Sequence, residues 1–212
     1  EIGASILSGL KVCFYFASGA TIGLITIFPE ANQLLFEDVK GTMSLQILSL
    51  SILLSSIIIT GSSILQSQND FIRPACYIIG AFFIKWIGNL LFVPMWGITG
   101  SAVSTVVALL ILTVLLYIEL KKKVPGLSFL RRMNYKAFLK ASVVMIGYLL
   151  LMKIIIHPEL ISTRLGLLLY VIWVVFTGGF IYIMLLIRSN VFTETELAML
   201  PLSAIWTKLS KF

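Results

Sequence analysis

Six stretches of this chain run for twenty residues or more with at most two charged side chains each, a pattern that restricts the fold severely. They are Ile6–Phe28, Thr42–Gln66, Pro74–Val93, Gly97–Leu120, Ala137–Ile156 and Arg164–Ile187. A bilayer core needs about 20 mostly apolar residues per helix. Backbone N–H and C=O groups find no water there, so each stretch must satisfy them internally as a helix. Composition agrees: 59% of the 212 residues are hydrophobic and 12% are charged. Soluble domains carry about twice that charge. The expected fold class is an all-α polytopic membrane protein with six transmembrane helices.

The opening EIGASILSGLKVCF enters an apolar segment almost at once, without an initiator Met or a signal-peptide pattern. A C-terminal portion of a longer chain is the expectation. Cys13 and Cys76 both sit in apolar stretches and read as small hydrophobes, since no metal or redox spacing surrounds them.

Orientation follows from where Lys and Arg collect. Seven of the 16 basic residues crowd one connection and its edges: Lys121, Lys122, Lys123, Arg131, Arg132, Lys136 and Lys140. That connection, 121–136, is expected on the cytoplasmic side, where it also meets anionic lipid. Alternation then puts the acidic loop Pro29–Gly41 outside, with Glu30, Glu37 and Asp38 against Lys40. The turn with Arg73 falls inside and the charge-free PMWG turn outside. Arg188, Lys208 and Lys211 return the tail to the inside. Nucleic acid is not an expected partner of this basic loop.

In the tail, 189–212, Thr193 and Glu196 have capping-box spacing for a helix start. Met199, Leu202, Ile205, Trp206 and Leu209 then recur at helical spacing against polar residues. A helix lying on the membrane surface fits that alternation.

The polar residues inside the stretches bear on function. Lys85 lies about 12 Å from the nearer end of its stretch, deeper than a lysine comfortably snorkels. A charge at that depth costs about 2.5–3.5 kcal/mol on insertion scales and marks a bundle interior or a water-filled cavity. Asn89 follows on the same helical face, and Ala81 and Gly88 beside them add little bulk. The set reads as a polar strip lining a cavity, or as a lysine paired with a neighbouring helix for packing. Lys11, Lys140 and Lys153 sit near stretch ends and can snorkel, and His157 sits alone at a boundary.

All nine acidic residues fall at stretch ends, in loops or in the tail by this reading. A cation-coupled pump needs a buried carboxylate, and a central cation without one favours an anionic ligand such as a phosphate. In the second stretch Ser44, Ser51, Ser55 and Ser62 share one line, and Ser49, Ser56, Thr60 and Ser63 a second. Gly97, Ser101, Thr105 and Ala108 share one side of the fourth. Small residues of this kind let transmembrane helices approach closely. Gly178 and Gly179 allow a bend in the sixth. No metal-ligand cluster, phosphate loop or nucleophile–base pair points to an enzyme, a resident metal or a cofactor.

Lys85-x₃-Asn89-Leu90-Leu91-x₂-Pro94-x₂-Gly97-Ile98-x-Gly100-x-Ala102 resembles the pattern across a helix pair in polysaccharide flippases of the multidrug/oligosaccharidyl-lipid/polysaccharide exporter superfamily. Ile64-Leu65-Gln66 and Arg73-Pro74-Ala75 resemble that family's lead-in. Thr193-Glu194-Thr195-Glu196-Leu197 with Leu200-Pro201 is similar to the C-terminus of Gram-positive lipid II-type relatives. The resemblance covers residues 60–105 and 190–202 and implies a two-lobe transporter of 12–14 helices, working by alternating access in the bacterial cytoplasmic membrane. On that layout 1–120 holds four helices of the C-terminal lobe, 121–136 a cytoplasmic loop, 137–188 two accessory helices and 189–212 the tail. Both ends of the chain would face the cytoplasm. Lys85 and Asn89 would face a lipid-linked pyrophosphate oligosaccharide, with membrane lipids and an N-terminal lobe of the same protein as further partners. The basic residues that the family places in its first lobe are missing from these residues. A cation-coupled multidrug exporter and a non-transporting assembly protein stay open beside the flippase.

Overall fold

The structure, a computed structural model, describes residues 2–36, 41–124, 133–158, 161, 163–193 and 196–197. Among the described residues it holds six helices and no strand. They are α1 (Ile2–Phe36), α2 (Thr42–Ser67), α3 (Ile72–Trp96), α4 (Ile98–Lys123), α5 (Tyr135–Ile156) and α6 (Arg164–Arg188). All six are long and apolar enough to cross a membrane, so the chain is an all-α polytopic membrane protein. Five of them end within three residues of the stretches read from the sequence.

The exception is α1, which continues through Pro29 to Phe36. Pro29 and Glu30 were expected to open an outer loop, and both instead lie inside the helix. Proline is tolerated in membrane helices because neighbouring groups satisfy the freed carbonyl. The connection expected at 121–136 is also shorter, since Lys121, Lys122 and Lys123 form the last turn of α4. Arg131 and Arg132 lie outside the described residues, as do Glu37, Asp38 and Lys40.

Local chemistry sets several helix starts. The Asn134 side chain accepts from the Ala137 N–H at 3.1 Å at the start of α5, and Thr163 accepts from Gly166 at 3.3 Å at the start of α6. Each satisfies an N–H that has no partner within its helix. Beyond α6 the expected capping box is formed: the Thr193 N–H donates to Glu196 Oε2 at 2.8 Å, and the Glu196 N–H to Thr193 Oγ1 at 3.4 Å. The apolar positions Met199, Leu202, Ile205, Trp206 and Leu209 lie outside the described residues.

The chain divides into two compact units. The first contains the α1 residues 2–21 with α2, α3 and α4. In it α4 packs against both α2 and α3. The serines of α2 serve this packing: Ser44, Ser49 and Ser62 are buried. Ser44 and Thr99 share a hydroxyl hydrogen bond of 2.9 Å, and Thr21 donates to the Ser49 carbonyl at 3.3 Å. Thr60 bonds back to the Ser56 carbonyl and reaches Cys13 Sγ at 3.3 Å. Close approach, as the small residues implied, is what these side chains provide.

α3 and α4 are joined by Gly97 alone, at φ +57° and ψ −132°, a conformation that side chains with a Cβ avoid. Its N–H closes the last turn of α3 on Val93 at 2.8 Å. The return is tight enough to press Gly100 onto the backbone at Phe92 and Val93. Further along, Gly88 lies against Ser104.

The second unit contains the α1 residues 22–36 with α5, α6 and the segment after α6. α5 packs against α6. The Tyr148 hydroxyl donates to Thr177 at 2.7 Å, and a Cβ on Gly178 would stand 3.0 Å from Leu149. Gly178 is therefore a close-approach residue, and α6 runs unbroken through Gly178 and Gly179. Met145 of α5 reaches Gly23 of α1.

Candidate functional site

Lys85 stands at the centre of α3, about 16 Å from its nearer end. It lines a cavity of about 130 Å³ between α3 and α4 with Ala81, Phe82, Thr105, Ala108 and Leu112 among the walls. Thr105 is the one other polar side chain lining it. Room exists because the opposed residues Ala81 and Ala108 are small. Lys85 is half-buried and, among the described residues, makes no hydrogen bond or ion pair.

Asn89 takes a different position from its neighbour one turn away. Its Oδ1 accepts a hydrogen bond from the Ser104 hydroxyl of α4, which also bonds back to the Ser101 carbonyl. It does not line the Lys85 cavity. The two residues expected as one polar strip thus both lie at the α3–α4 junction but do separate work: Asn89 ties the helices, and Lys85 holds a charge beside open space.

α3 buries only Pro74 and Ala81. Ile79, Phe83, Trp86, Ile87 and Leu90 are exposed. In a bilayer such a surface meets lipid or further helices, and no polar backbone is laid bare.

At the α2–α3 turn and the C-terminal end of α4 the charges are paired. Arg73 bridges Glu119, with Asp70 at 3.5 Å, while Lys122 meets Glu119 at 3.3 Å and Lys123 meets Asp70 at 2.6 Å. Tyr77 donates to Glu119 at 3.4 Å. Arg73 was legible as an orientation marker and a motif residue but not as a bridge, because its partner lies 46 positions away. The hydrogen bond from Lys123, with Arg73 nearby, holds the Asp70 carboxyl below its ordinary range. Stability from such a depressed group is present above the unfolded value and lost as pH falls through the folded one. Asp70→Asn is therefore expected to be less stable than the native protein at neutral pH. The difference should shrink as the pH falls below the ordinary aspartate value of about 4, read by thermal unfolding on acidification.

The second unit holds the feature that sequence reasoning missed. Glu30, expected in an outer loop, is buried in α1, and its Oε1 meets Lys153 Nζ of α5 at 2.7 Å. Lys153 was expected only to snorkel. The pairing joins residues 123 positions apart, so local sequence carries no sign of it. Glu30 Oε2 is buried, and no described protein group donates to it. His157, read as interfacial, closes α5 in a left-handed conformation at φ 45°. Among the described residues no three His, Cys, Asp or Glu side chains gather as metal ligands.

No protein-family model matches the chain. An uncharacterized membrane protein of Bacillus subtilis (strain 168), YabM, is 32% identical over 218 aligned positions. The match takes in 98% of this chain but 38% of YabM, so the chain spans well under half the length of that relative. The helices and this similarity together identify the chain as a multi-pass membrane protein.

Proposed function

We propose that this chain is the C-terminal part of a flippase that passes lipid-linked pyrophosphate oligosaccharides across the bacterial cytoplasmic membrane by alternating access. The observation that carries the reading is Lys85: a lysine at the centre of an apolar helix, beside a cavity, with no carboxylate partner among the described residues. A cation kept at that depth needs a counter-charge, and a pyrophosphate supplies one with several acceptor oxygens. The motif around Lys85 and Asn89 supports the same reading, and the similarity to a membrane protein fits its membrane setting. The ligand's lipid tail would stay in the bilayer while its head meets Lys85. Both chain ends would face the cytoplasm, and precursors of cell wall or surface polysaccharide are the substrate class. The reading invokes no enzymatic step and no cofactor.

One observation favours the second reading, a cation-coupled exporter of the same superfamily: Glu30 is a buried carboxylate on a membrane helix. An exporter of cationic compounds would use such a group directly, whereas Lys85 would repel its cargo.

The test is flipping of a labelled lipid-pyrophosphate sugar by the full-length protein in vesicles, with Lys85→Met inserted to the same level. The native protein is expected to flip, and the variant to lose at least about tenfold, the factor that about 1.4 kcal/mol of lost phosphate attraction gives. Retained flipping in the variant makes Lys85 a packing residue. No flipping by the native protein overturns the reading.

A further inference from the structure

The Glu30–Lys153 pair is unequal in a way that ion pairs holding two helices together need not be. The Glu30 side chain is 6% exposed and that of Lys153 is 37% exposed. Lys153 lies three residues from the end of α5, so its ammonium can swing outward along a flexible stem. Glu30 has no such route. A buried carboxylate must keep a positive charge beside it, or lose its own.

Next to Glu30 is a cavity of about 10 Å³, room for one water-sized particle. Thr26, Glu30, Lys153 and Tyr170 are the residues with polar side chains that line it, and Ile27, Leu149 and Val174 complete the lining. Thr26 donates its hydroxyl proton to the Ile22 carbonyl at 2.9 Å, so toward any further partner its oxygen can act only as an acceptor. Glu30 Oε2 receives no donor from the described protein. An orphaned carboxylate oxygen beside a space of this size, lined also by two hydroxyl-bearing side chains, suits a small positively charged particle better than an anion. With Lys153 in place the pair is neutral, and a second cation would add net charge in a medium of low dielectric. The cation must therefore replace the ammonium.

We propose that Glu30, Tyr170 and Thr26 form an exchange site for one small monovalent cation, sodium or a proton, which takes the place of Lys153 on the Glu30 carboxylate. Among the described residues the charged and titratable groups around it are Lys153 of α5 and Tyr170 of α6, with Tyr148 of α5 close to Tyr170. No bond to carbon forms or breaks: the cation arrives, the ammonium leaves, and the net charge at Glu30 is unchanged. The site stands independently of what Lys85 binds.

The experiment follows the thermal unfolding midpoint of the full-length protein in lipid nanodiscs. Sodium is varied against choline at constant ionic strength, and pH is varied without sodium, for the native protein, Lys153→Met and Glu30→Gln. Sodium, and not choline, is expected to raise the native midpoint. In Lys153→Met, where the ammonium no longer competes, the rise should reach about 5 °C at saturation. A midpoint that ignores sodium but rises on acidification of Lys153→Met assigns the proton instead. Either response must disappear in Glu30→Gln. A Lys153→Met midpoint indifferent to both sodium and pH, or a response that persists without the Glu30 carboxylate, overturns the site.

Discussion

Gly100→Ala is expected to destabilise the first unit by about 3 kcal/mol, at the upper end for adding one methyl group to a packed interior. The added Cβ would stand 2.9 Å from the Val93 nitrogen and closer still to the Phe92 carbonyl. Those atoms are backbone at the end of α3, so no rotamer change can make room. The turn has no slack either, because Gly97 alone separates the two helices. Thermal unfolding and monodispersity of the purified protein read the loss. Gly147→Ala is the control, since a Cβ there meets nothing within 4 Å. In a helix interior that change should stabilise by about 0.5–1 kcal/mol, so the two substitutions are expected to differ in sign.

Glu119→Lys is expected to cost about 2 kcal/mol and to be largely repaired by Arg73→Glu in the same chain. The single change sets a third cation beside Arg73 and Lys122 around a position where the native side chain is 6% exposed. Breaking a fully buried pair costs about 3–5 kcal/mol. Arg73 and Lys122 are more than half exposed, and solvent screening reduces the figure. A double-mutant cycle on unfolding midpoints separates the pair energy from the two single losses. If the double variant is no more stable than Glu119→Lys alone, the bridge is not what Glu119 contributes.

The helices were legible because bilayer thickness, apolar run length and backbone satisfaction all point to the same segments. The serines of α2 were likewise read as close-packing residues from their size. What failed at Pro29 and Glu30 was the inference from a residue's own cost. Proline and glutamate look like a span's end, and only Lys153 in another helix makes Glu30 admissible there. Long-range pairing is invisible to any local window, and the same is true of Arg73 with Glu119. Lys85 and Asn89 lie one turn apart on α3, but the sequence held no sign that Ser104 takes up Asn89 and leaves Lys85 with Thr105 at the cavity. The motif glycines gain a physical reason, one set by the Gly97 dihedral angles and the other by the backbone against Gly100.

The single-residue connection at Gly97 also bears on how α3 is expected to enter the membrane. A helix with a lysine at its centre is a poor candidate for entering the bilayer alone, at about 2.5–3.5 kcal/mol against it. α4 carries no charge before Glu119 and follows without a loop to wait in. The segment offered to the membrane is then a preformed hairpin, and the apolar surplus of its second arm carries the cation of its first to the midplane.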